Sequence, residues 1–146
     1  MKTVKTVLFY LIQWTWGLPV NLFGAIGYLY CKLRGYPSER FGLSRITYIP
    51  WNQGGVSLGL FIFIRKDHPN KIWTYNARIH EYGHTWQCLL LGPLYWIVIG
   101  LPSFVWCNFF AGYRKRTKKS YYVFYPEKWA NYNGQRATGL KMKPES

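Results

Sequence analysis

The chain has 146 residues, a formal net charge of +14 and an aromatic content of 21%. That length allows one domain and leaves no room for a separate regulatory module. Only 16% of the residues are charged, and the apolar residues gather in long uncharged runs. Such a composition is typical of an integral membrane protein rich in interfacial Trp and Tyr. The cysteines, Cys31, Cys88 and Cys107, form no C-x-x-C pair, so we expect free thiols rather than disulfides or a cysteine zinc site.

The positive charge has two interpretations. Basic patches with aromatic residues between them can bind nucleic acid, but no RNA- or DNA-binding motif is visible in the sequence. The Lys and Arg residues cluster at the ends of the apolar runs, where attraction to anionic lipid headgroups explains them more simply. We therefore expect lipid headgroups as partners and do not expect nucleic acid.

The first apolar run covers residues 7–31, which include no charged side chain and follow Lys2 and Lys5. A run of 25 residues is long enough to span a bilayer with tilt. No clear small-x-small cleavage site follows it, so we interpret it as a retained anchor. Gly17 and Pro19 lie in its middle and allow a kink or a re-entrant hairpin instead. The expected location is the bacterial inner membrane.

The second uncharged run, residues 46–64, is interrupted by Pro50, Gly54 and Gly55, which break a helix and favour a turn. Residues 56–64 are rich in β-branched and aromatic side chains, so a small β-hairpin or strand is predicted here. A strand placed just before the next segment could offer an open edge to an extended peptide. A membrane-associated hairpin with no role in substrate binding fits the pattern equally well.

The third segment carries the sequence His80-Glu81-Tyr82-Gly83-His84, which reads H-E-x-x-H. On a helix, side chains four residues apart lie on one face, so both imidazoles can bind one metal ion. Glu81 lies on the neighbouring face, where it can take a proton from a water at the metal. We predict a helix over residues 73–91, ended by Gly92 and Pro93.

A second, largely spanning helix is predicted over residues 94–111, followed by the basic cluster Arg114 to Lys119. A last helix is predicted over residues 126–138, and the tail after Gly139 is expected to be loose. The predicted fold class is therefore mainly α and integral to the membrane, as one domain over residues 1–146. It would have one to two spanning or re-entrant helices, the motif helix, the small hairpin and the C-terminal helix. The distribution of Lys and Arg leaves the orientation open.

A catalytic zinc site needs a third protein ligand. The chain has five carboxylates: Glu39, Asp67, Glu81, Glu127 and Glu145. Glu81 is assigned as the base, Glu145 lies in the tail, and Glu39 lies far upstream. Glu127 is the best candidate because it begins a predicted helix in which Asn131 follows one turn later on the same face. The Asn131 oxygen could accept the free ring N–H of a zinc-bound histidine.

H-E-x-x-H followed by E-x-x-A-(D/N) resembles the arrangement of the gluzincin metallopeptidases, including the membrane-bound HtpX type. The resemblance implies that His80, His84 and Glu127 bind Zn²⁺ and that Glu81 is the general base. This chain is much shorter, and Asn131 stands where that group usually has Asp. A second group that this motif resembles is the site-2 proteases, which also carry H-E-x-x-H in a membrane. Resemblance to them would imply a third ligand that is an Asp in a later D-G motif. Here no Asp follows Asp67.

These residues predict a zinc metalloprotease that hydrolyses peptides or the ends of membrane proteins. The oxyanion of the reaction needs a further donor, and the sequence offers Tyr132, Tyr121, Tyr122 and His68 without choosing among them. The alternative function is a non-catalytic membrane binding or regulatory protein in which the metal site is structural or vestigial.

Overall fold

The computed structural model describes residues 2–145. In chain order the helices and strands are α1 (Lys2–Thr15), α2 (Leu18–Leu33), β1 (Ser38–Phe41), β2 (Ser44–Ile49), β3 (Gly55–Leu58), β4 (Phe61–Arg65), α3 (Lys71–Leu91), α4 (Leu101–Phe109), α5 (Ala111–Thr117) and α6 (Tyr125–Thr138). Short 3-10 turns at Gly92–Leu94 and Tyr121–Val123 and a π-helix at Trp96–Gly100 join the later helices.

The four strands form one mixed sheet in the order β1-β2-β4-β3. β2 and β4 run parallel, and the two outer pairs are antiparallel. Side chains alternate across β4, as the strand period requires. Ile62 and Ile64 pack in a buried cluster with Ala77 of α3. Phe61 faces the opposite side and stacks on Tyr28 of α2 at a ring distance of 5.5 Å. The sheet therefore lies between α2 and α3, with β3 at one edge.

The prediction of a small hairpin over residues 46–64 captured only part of this sheet. That stretch contains most of β2, all of β3 and most of β4, and β1 precedes it. The tight turn joins β3 to β4 at Gly59, whose φ of +69° suits glycine, and not at Gly54 and Gly55. Gly54 and Gly55 instead lead into the edge strand.

Polar side chains interrupt the first apolar run. α1 ends at Thr15 and α2 begins at Leu18, with Pro19 in its first turn. The buried side chain of Asn21 donates to the carbonyl oxygens of Gln13 and Gly17, each at 2.9 Å, and accepts from the backbone N–H of Leu60 at 2.8 Å. Asn21 thus satisfies backbone groups at the helix break and ties α2 to the sheet.

The predicted fold class, mainly α and integral to the membrane, is wrong. Within residues 2–145, no single helix combines the length and the apolarity needed to cross a bilayer. Only Lys71–Leu94 and Trp96–Phe109 taken together reach both, and they are bent by 117°. The expected anchor over residues 7–31 is divided between helices of 14 and 16 residues, and the expected helix over residues 94–111 is divided at the π-helix. The run over residues 7–31 lacks charges but is not uniformly apolar, because it includes Gln13, Pro19 and Asn21.

The motif helix α3 has clear end signals. The side chain of Asn70 accepts hydrogen bonds from the backbone N–H groups of Ile72 and Trp73, which caps the first turn. At the other end Gly92 takes a φ of +55°, and Pro93 cannot continue the helix. α3 covers residues 71–91, compared with the expected 73–91.

Helix α6 packs against α3 with almost no space between the two backbones. A Cβ added at Gly83 of α3 would overlap the carbonyl oxygen of Ala130, and one added at Gly134 would overlap the carbonyl oxygen of Ile79. Glycine is required at both positions because the helices approach backbone to backbone. This contact brings the first turn of α6 against the motif residues of α3.

Candidate metal centre

The side chains of His80 and His84 converge with that of Glu127 between α3 and α6. The Nε2 atoms of the two rings lie 3.2 Å apart. Oε2 of Glu127 lies 3.0 Å from Nε2 of His80 and 3.3 Å from Nε2 of His84. All three side chains are buried. The helix spacing places the imidazoles one turn apart, and the first turn of α6 supplies the carboxylate.

The other ring nitrogens determine which atoms face inward. Nδ1 of His80 lies 2.6 Å from Oδ1 of Asn131, and Nδ1 of His84 lies 2.6 Å from Oε1 of Gln87. The amide of Gln87 is oriented by a 2.9 Å bond from its Nε2 to the carbonyl oxygen of Pro126, so its oxygen points at the ring. Because both contacts are to acceptor oxygens, each Nδ1 is placed to donate its N–H, and the Nε2 of each ring, when the ring is neutral, is then free to bind a cation beside Glu127.

Three electron-pair donors therefore meet at one point. Both carboxylate oxygens of Glu127 are buried, and neither has a hydrogen-bond partner of acceptable geometry in the described part of the chain. Tetrahedral coordination with bonds of about 2.0 to 2.1 Å separates neighbouring ligand atoms by about 3.3 Å. The observed separations of 3.0 to 3.3 Å fit that arrangement. His80, His84 and Glu127 form a buried group that could hold a metal ion, which confirms that part of the expectation.

The pKa values of the two carboxyl groups at the centre, Glu127 and Glu81, are shifted in opposite directions. Burial opposes ionisation of Glu127, but the close contacts of its Oε2 with the rings of His80 and His84 outweigh burial and hold its pKa well below the usual range. Burial raises the pKa of Glu81 to about 7, with His80 lowering it and Glu127 raising it further. Glu127 is therefore a carboxylate, suited to bind a cation, and Glu81 can exchange a proton near neutral pH.

The centre opens into a cleft of about 760 Å³. Glu81 lies on its wall beside β3, and an ideal Cβ at Gly55 would be only 2.7 Å from Oε1 of Glu81. Oε2 of Glu81 is buried without a hydrogen-bond partner. Most of the remaining wall is aromatic or aliphatic, and it includes Trp51, Trp73, Trp96, Ile99 and Phe104. The cleft thus combines one acid-base group with apolar walls.

Of the four residues expected as oxyanion donors, two line the cleft and two do not. Tyr121 and Tyr122 line the cleft, with ring centroids 6.4 and 5.2 Å from that of His80. Burial, followed by the negative charge of Glu127, raises the pKa of Tyr121. Tyr132 and His68 lie elsewhere. Tyr132 is 58% exposed and accepts from Arg136, and His68 stacks on Trp73.

Sequence reasoning missed two residues beside the centre, Gln87 and Gly55. Gln87 stands three residues after His84, and that spacing on a helix was the available signal for a contact. Gly55 leaves room for Glu81, but nothing local in the sequence marks a glycine of β3 as a neighbour of the motif. The partner of His80, Asn131, lies where it was expected.

Comparisons with protein-family models, with curated proteins and with solved structures found no match to the chain.

Proposed function

We propose that this chain is a zinc-dependent hydrolase of peptide bonds, of the gluzincin type. The observation that carries the proposal is the convergence of Nε2 of His80, Nε2 of His84 and Oε2 of Glu127, next to the carboxyl group of Glu81. Two neutral imidazoles and one carboxylate are a ligand set that catalytic zinc sites use.

Zinc is the cation that this donor set favours. Imidazole nitrogen and carboxylate oxygen bind zinc well, whereas magnesium and calcium prefer oxygen ligands alone. When bound, zinc would act as a Lewis acid that polarises a carbonyl group and lowers the pKa of a coordinated water. Asn131 and Gln87 would hold the two rings in the required tautomer and orientation, as they do here.

Glu81 would move the protons. A pKa of about 7 leaves a large fraction of this carboxyl group ionised at neutral pH and able to accept a proton from a water. The protonated form would then donate to the amine that leaves. Tyr121 and Tyr122, with hydroxyls kept neutral by raised pKa values, would donate hydrogen bonds to the oxygen that gains charge.

The edge strand β3 would position the peptide. β4 pairs with one edge of β3, and residues 55–58 line the cleft. On the other edge the carbonyl oxygen of Ser57 accepts from the hydroxyl of Tyr95 at 3.1 Å, so the backbone beside Gly55 is the part of this edge that a peptide would use. An extended peptide can add to such an edge through main-chain hydrogen bonds, while the apolar walls contact its side chains. This supports the reading of the stretch as a substrate-binding strand over that of a membrane hairpin.

The rival function is a binding protein with a structural metal site. Structural zinc sites are usually closed by four protein ligands, whereas catalytic sites keep one position open. The group found within residues 2–145 has three ligands and opens into a cleft. The open position and the adjacent Glu81 favour the hydrolase.

One experiment separates the two functions. Purified protein is analysed for metal and incubated with a quenched-fluorescent peptide library. We expect about one zinc per chain and cleavage, with zinc kept but cleavage abolished in Glu81→Gln. Zinc content and cleavage should both fall in His80→Ala. Cleavage by Glu81→Gln at the rate of the parent chain would rule out the assigned base, and an absence of bound metal would rule out the centre.

We also propose that the outer face of α1 and α2 lies against an anionic lipid surface. Seven large apolar side chains there are between 49% and 59% exposed: Val7, Leu8, Leu11, Leu22, Phe23, Ile26 and Leu29. Lys2 and Lys5 stand at the start of this face, and Lys32 and Arg34 at its end. A second copy of the chain is a poor occupant because each copy carries a charge of +14. Anionic headgroups complement that charge.

Vesicle co-sedimentation tests this surface. Phosphatidylglycerol vesicles should bind the chain more strongly than phosphatidylcholine vesicles. Replacing Leu8 and Leu11 by Gln should weaken binding by about tenfold or more, because two apolar side chains no longer enter the lipid. The matched control replaces Val123 and Tyr132, which are 51% and 58% exposed elsewhere, and should leave binding unchanged. An equal loss of vesicle binding in the Leu8/Leu11 variant and in the Val123/Tyr132 variant would overturn the proposal. A dimer formed through this face, with no vesicle binding, would also overturn it.

A further inference from the structure

Residues 141–145, the tail segment, follow α6 without forming a helix or strand and return to the first half of α3. There the side-chain amide of Asn76 pairs with both backbone groups of one residue. The N–H of Lys143 donates to Oδ1 of Asn76 at 2.8 Å, and Nδ2 of Asn76 donates to the carbonyl oxygen of Lys143 at 2.7 Å. This is the pairing that a neighbouring β-strand would offer an extended peptide.

Further contacts hold the tail segment on either side of that pair. The hydroxyl of Tyr75 donates to the carbonyl oxygen of Lys141 at 3.1 Å, and Oε1 of Gln135 accepts from the N–H of Met142 at 3.0 Å. The ammonium group of Lys143 lies 4.4 Å from the centre of the Tyr75 ring. The tail after Gly139, which was expected to be loose, is therefore held along its backbone.

The tail segment leads into the cleft of the metal centre. Asn76 precedes His80 by four residues, so both side chains lie on the same face of α3, one turn apart. Nδ2 of Asn76 also donates to Oε1 of Glu145 at 3.3 Å, and Glu145 lines the cleft together with His80 and Tyr122. A peptide that continued along this path would pass beside the metal ligands.

Most of the hydrogen bonds that hold the tail segment are made to its backbone, and its side chains add the contacts of Lys143 with Tyr75 and of Glu145 with Asn76. Four of the hydrogen bonds named above involve N–H or carbonyl groups of residues 141–143. The side chain of Asn76 is 2% exposed, and a buried amide left without partners loses the free energy of its hydrogen bonds. The Asn76 amide can therefore offer the same pair of hydrogen bonds to the backbone of another peptide in this position.

We infer that Asn76 and Tyr75 form a subsite for extended peptide, and that residues 141–145 occupy it in cis and compete with peptides from solution. The inference rests on the proposed function only in naming that peptide as the substrate. A tethered ligand acts at an effective concentration of the order of millimolar, so peptides that bind more weakly than that would be excluded until the tail segment leaves.

The test uses the full chain with Glu81→Gln, so that binding is measured without turnover. The probe is a fluorescein-labelled peptide of sequence Lys-Met-Lys-Pro-Glu-Ser, followed by fluorescence polarisation. Two variants are matched at one position. Lys143→Pro removes the N–H that donates to Asn76, whereas Lys143→Ala keeps that N–H and removes only the side chain. We expect the proline variant to bind the probe at least about tenfold more tightly than the alanine variant.

A second arm removes residues 141–146. The shortened chain should bind the probe as tightly as Lys143→Pro, and adding Asn76→Leu should abolish that binding. A probe with Ala in place of both Lys residues should still bind, because the contacts are to backbone. Equal binding by the proline and alanine variants, or tight binding that survives Asn76→Leu, would overturn the inference. If the variants bind the probe as expected but the parent chain cleaves no peptide, the hydrolase proposal fails and the peptide subsite stands.

Discussion

Gln87 connects His84 to helix α6: its Oε1 accepts from Nδ1 of the ring at 2.6 Å, and its Nε2 donates to the carbonyl oxygen of Pro126 at 2.9 Å. Pro126 directly precedes Glu127 in the chain. One side chain therefore fixes the ring of one ligand and the backbone beside another. The orientation of the metal centre depends on residues that would not touch the metal.

Gln87→Leu should lower zinc affinity by about tenfold to a hundredfold, as removal of a partner of a ligating histidine does. The leucine side chain fills the volume but cannot accept the hydrogen bond from Nδ1 of His84. Affinity is measured by competition with a chromophoric chelator. Asn131→Leu should act similarly through His80, whereas Asn133→Leu, two residues further along α6, is the control and should not change the affinity. Unchanged affinity in the first two variants would contradict the assignment of the tautomers.

Zinc should stabilise the folded chain. At one hundred times its Kd a ligand that binds only the folded state adds about 2.7 kcal/mol. For a chain of this size that corresponds to a rise in Tm of about 5 to 10 °C. The measurement is thermal unfolding after chelation, then with added zinc or added magnesium. Magnesium should leave the Tm of the chelated protein unchanged, and His80→Ala should lose the response to zinc.

Gly83→Ala should destabilise the fold by at least about 2 kcal/mol, because the added methyl group overlaps the carbonyl oxygen of Ala130 and the helices must move apart. The matched control is Gly112→Ala in α5, where a Cβ meets nothing within 4 Å. That change should be neutral or stabilise by up to about 1 kcal/mol, since alanine favours helix. Urea unfolding of chelated protein measures both. Similar stabilities for the two variants would contradict the close helix contact.

Gly55→Ala should slow peptide cleavage by about tenfold to a hundredfold, because its Cβ would lie 2.7 Å from Oε1 of Glu81 and displace the base. Gly54→Ala is the neighbouring control, since its Cβ would only reach ordinary contact with Trp73 at 3.5 Å. Zinc content and Tm should remain near those of the parent chain in both variants. Equal cleavage rates for Gly55→Ala and Gly54→Ala would show that the space at Gly55 does not determine the position of Glu81.

The members of the metal centre can be found in the sequence because each depends on a short-range rule. His80 and His84 follow from helix spacing, and Glu127 follows from the scarcity of carboxylates together with the turn that places Asn131 on the same face. Their meeting depends on Gly83, Ala130 and Gly134, whose small size permits the helix contact. A glycine inside the motif was a signal for that contact.

The fold class could not be predicted in the same way. The length of an uncharged run says little about which face of a helix is buried, and Asn21 shows why: its side-chain oxygen accepts from the backbone N–H of Leu60, 39 positions away in the turn between β3 and β4. The choice of Tyr121 and Tyr122 over Tyr132 and His68 also depends on contacts between remote segments. Such pairings are set by tertiary structure, which local patterns do not encode.

The close approach of α3 and α6 has a consequence for how this chain can diverge. Behind the metal ligands, the backbone of α3 contacts the backbone of α6. The distance between the two helices therefore does not depend on the side chains that line the cleft. Residues such as Trp51, Ile99 and Phe104 can then change in size and shape while His80 and Glu127 keep their separation. Under the proposed peptide hydrolysis, substitutions at the front of the cleft could change which peptides bind without changing the positions of His80 and Glu127.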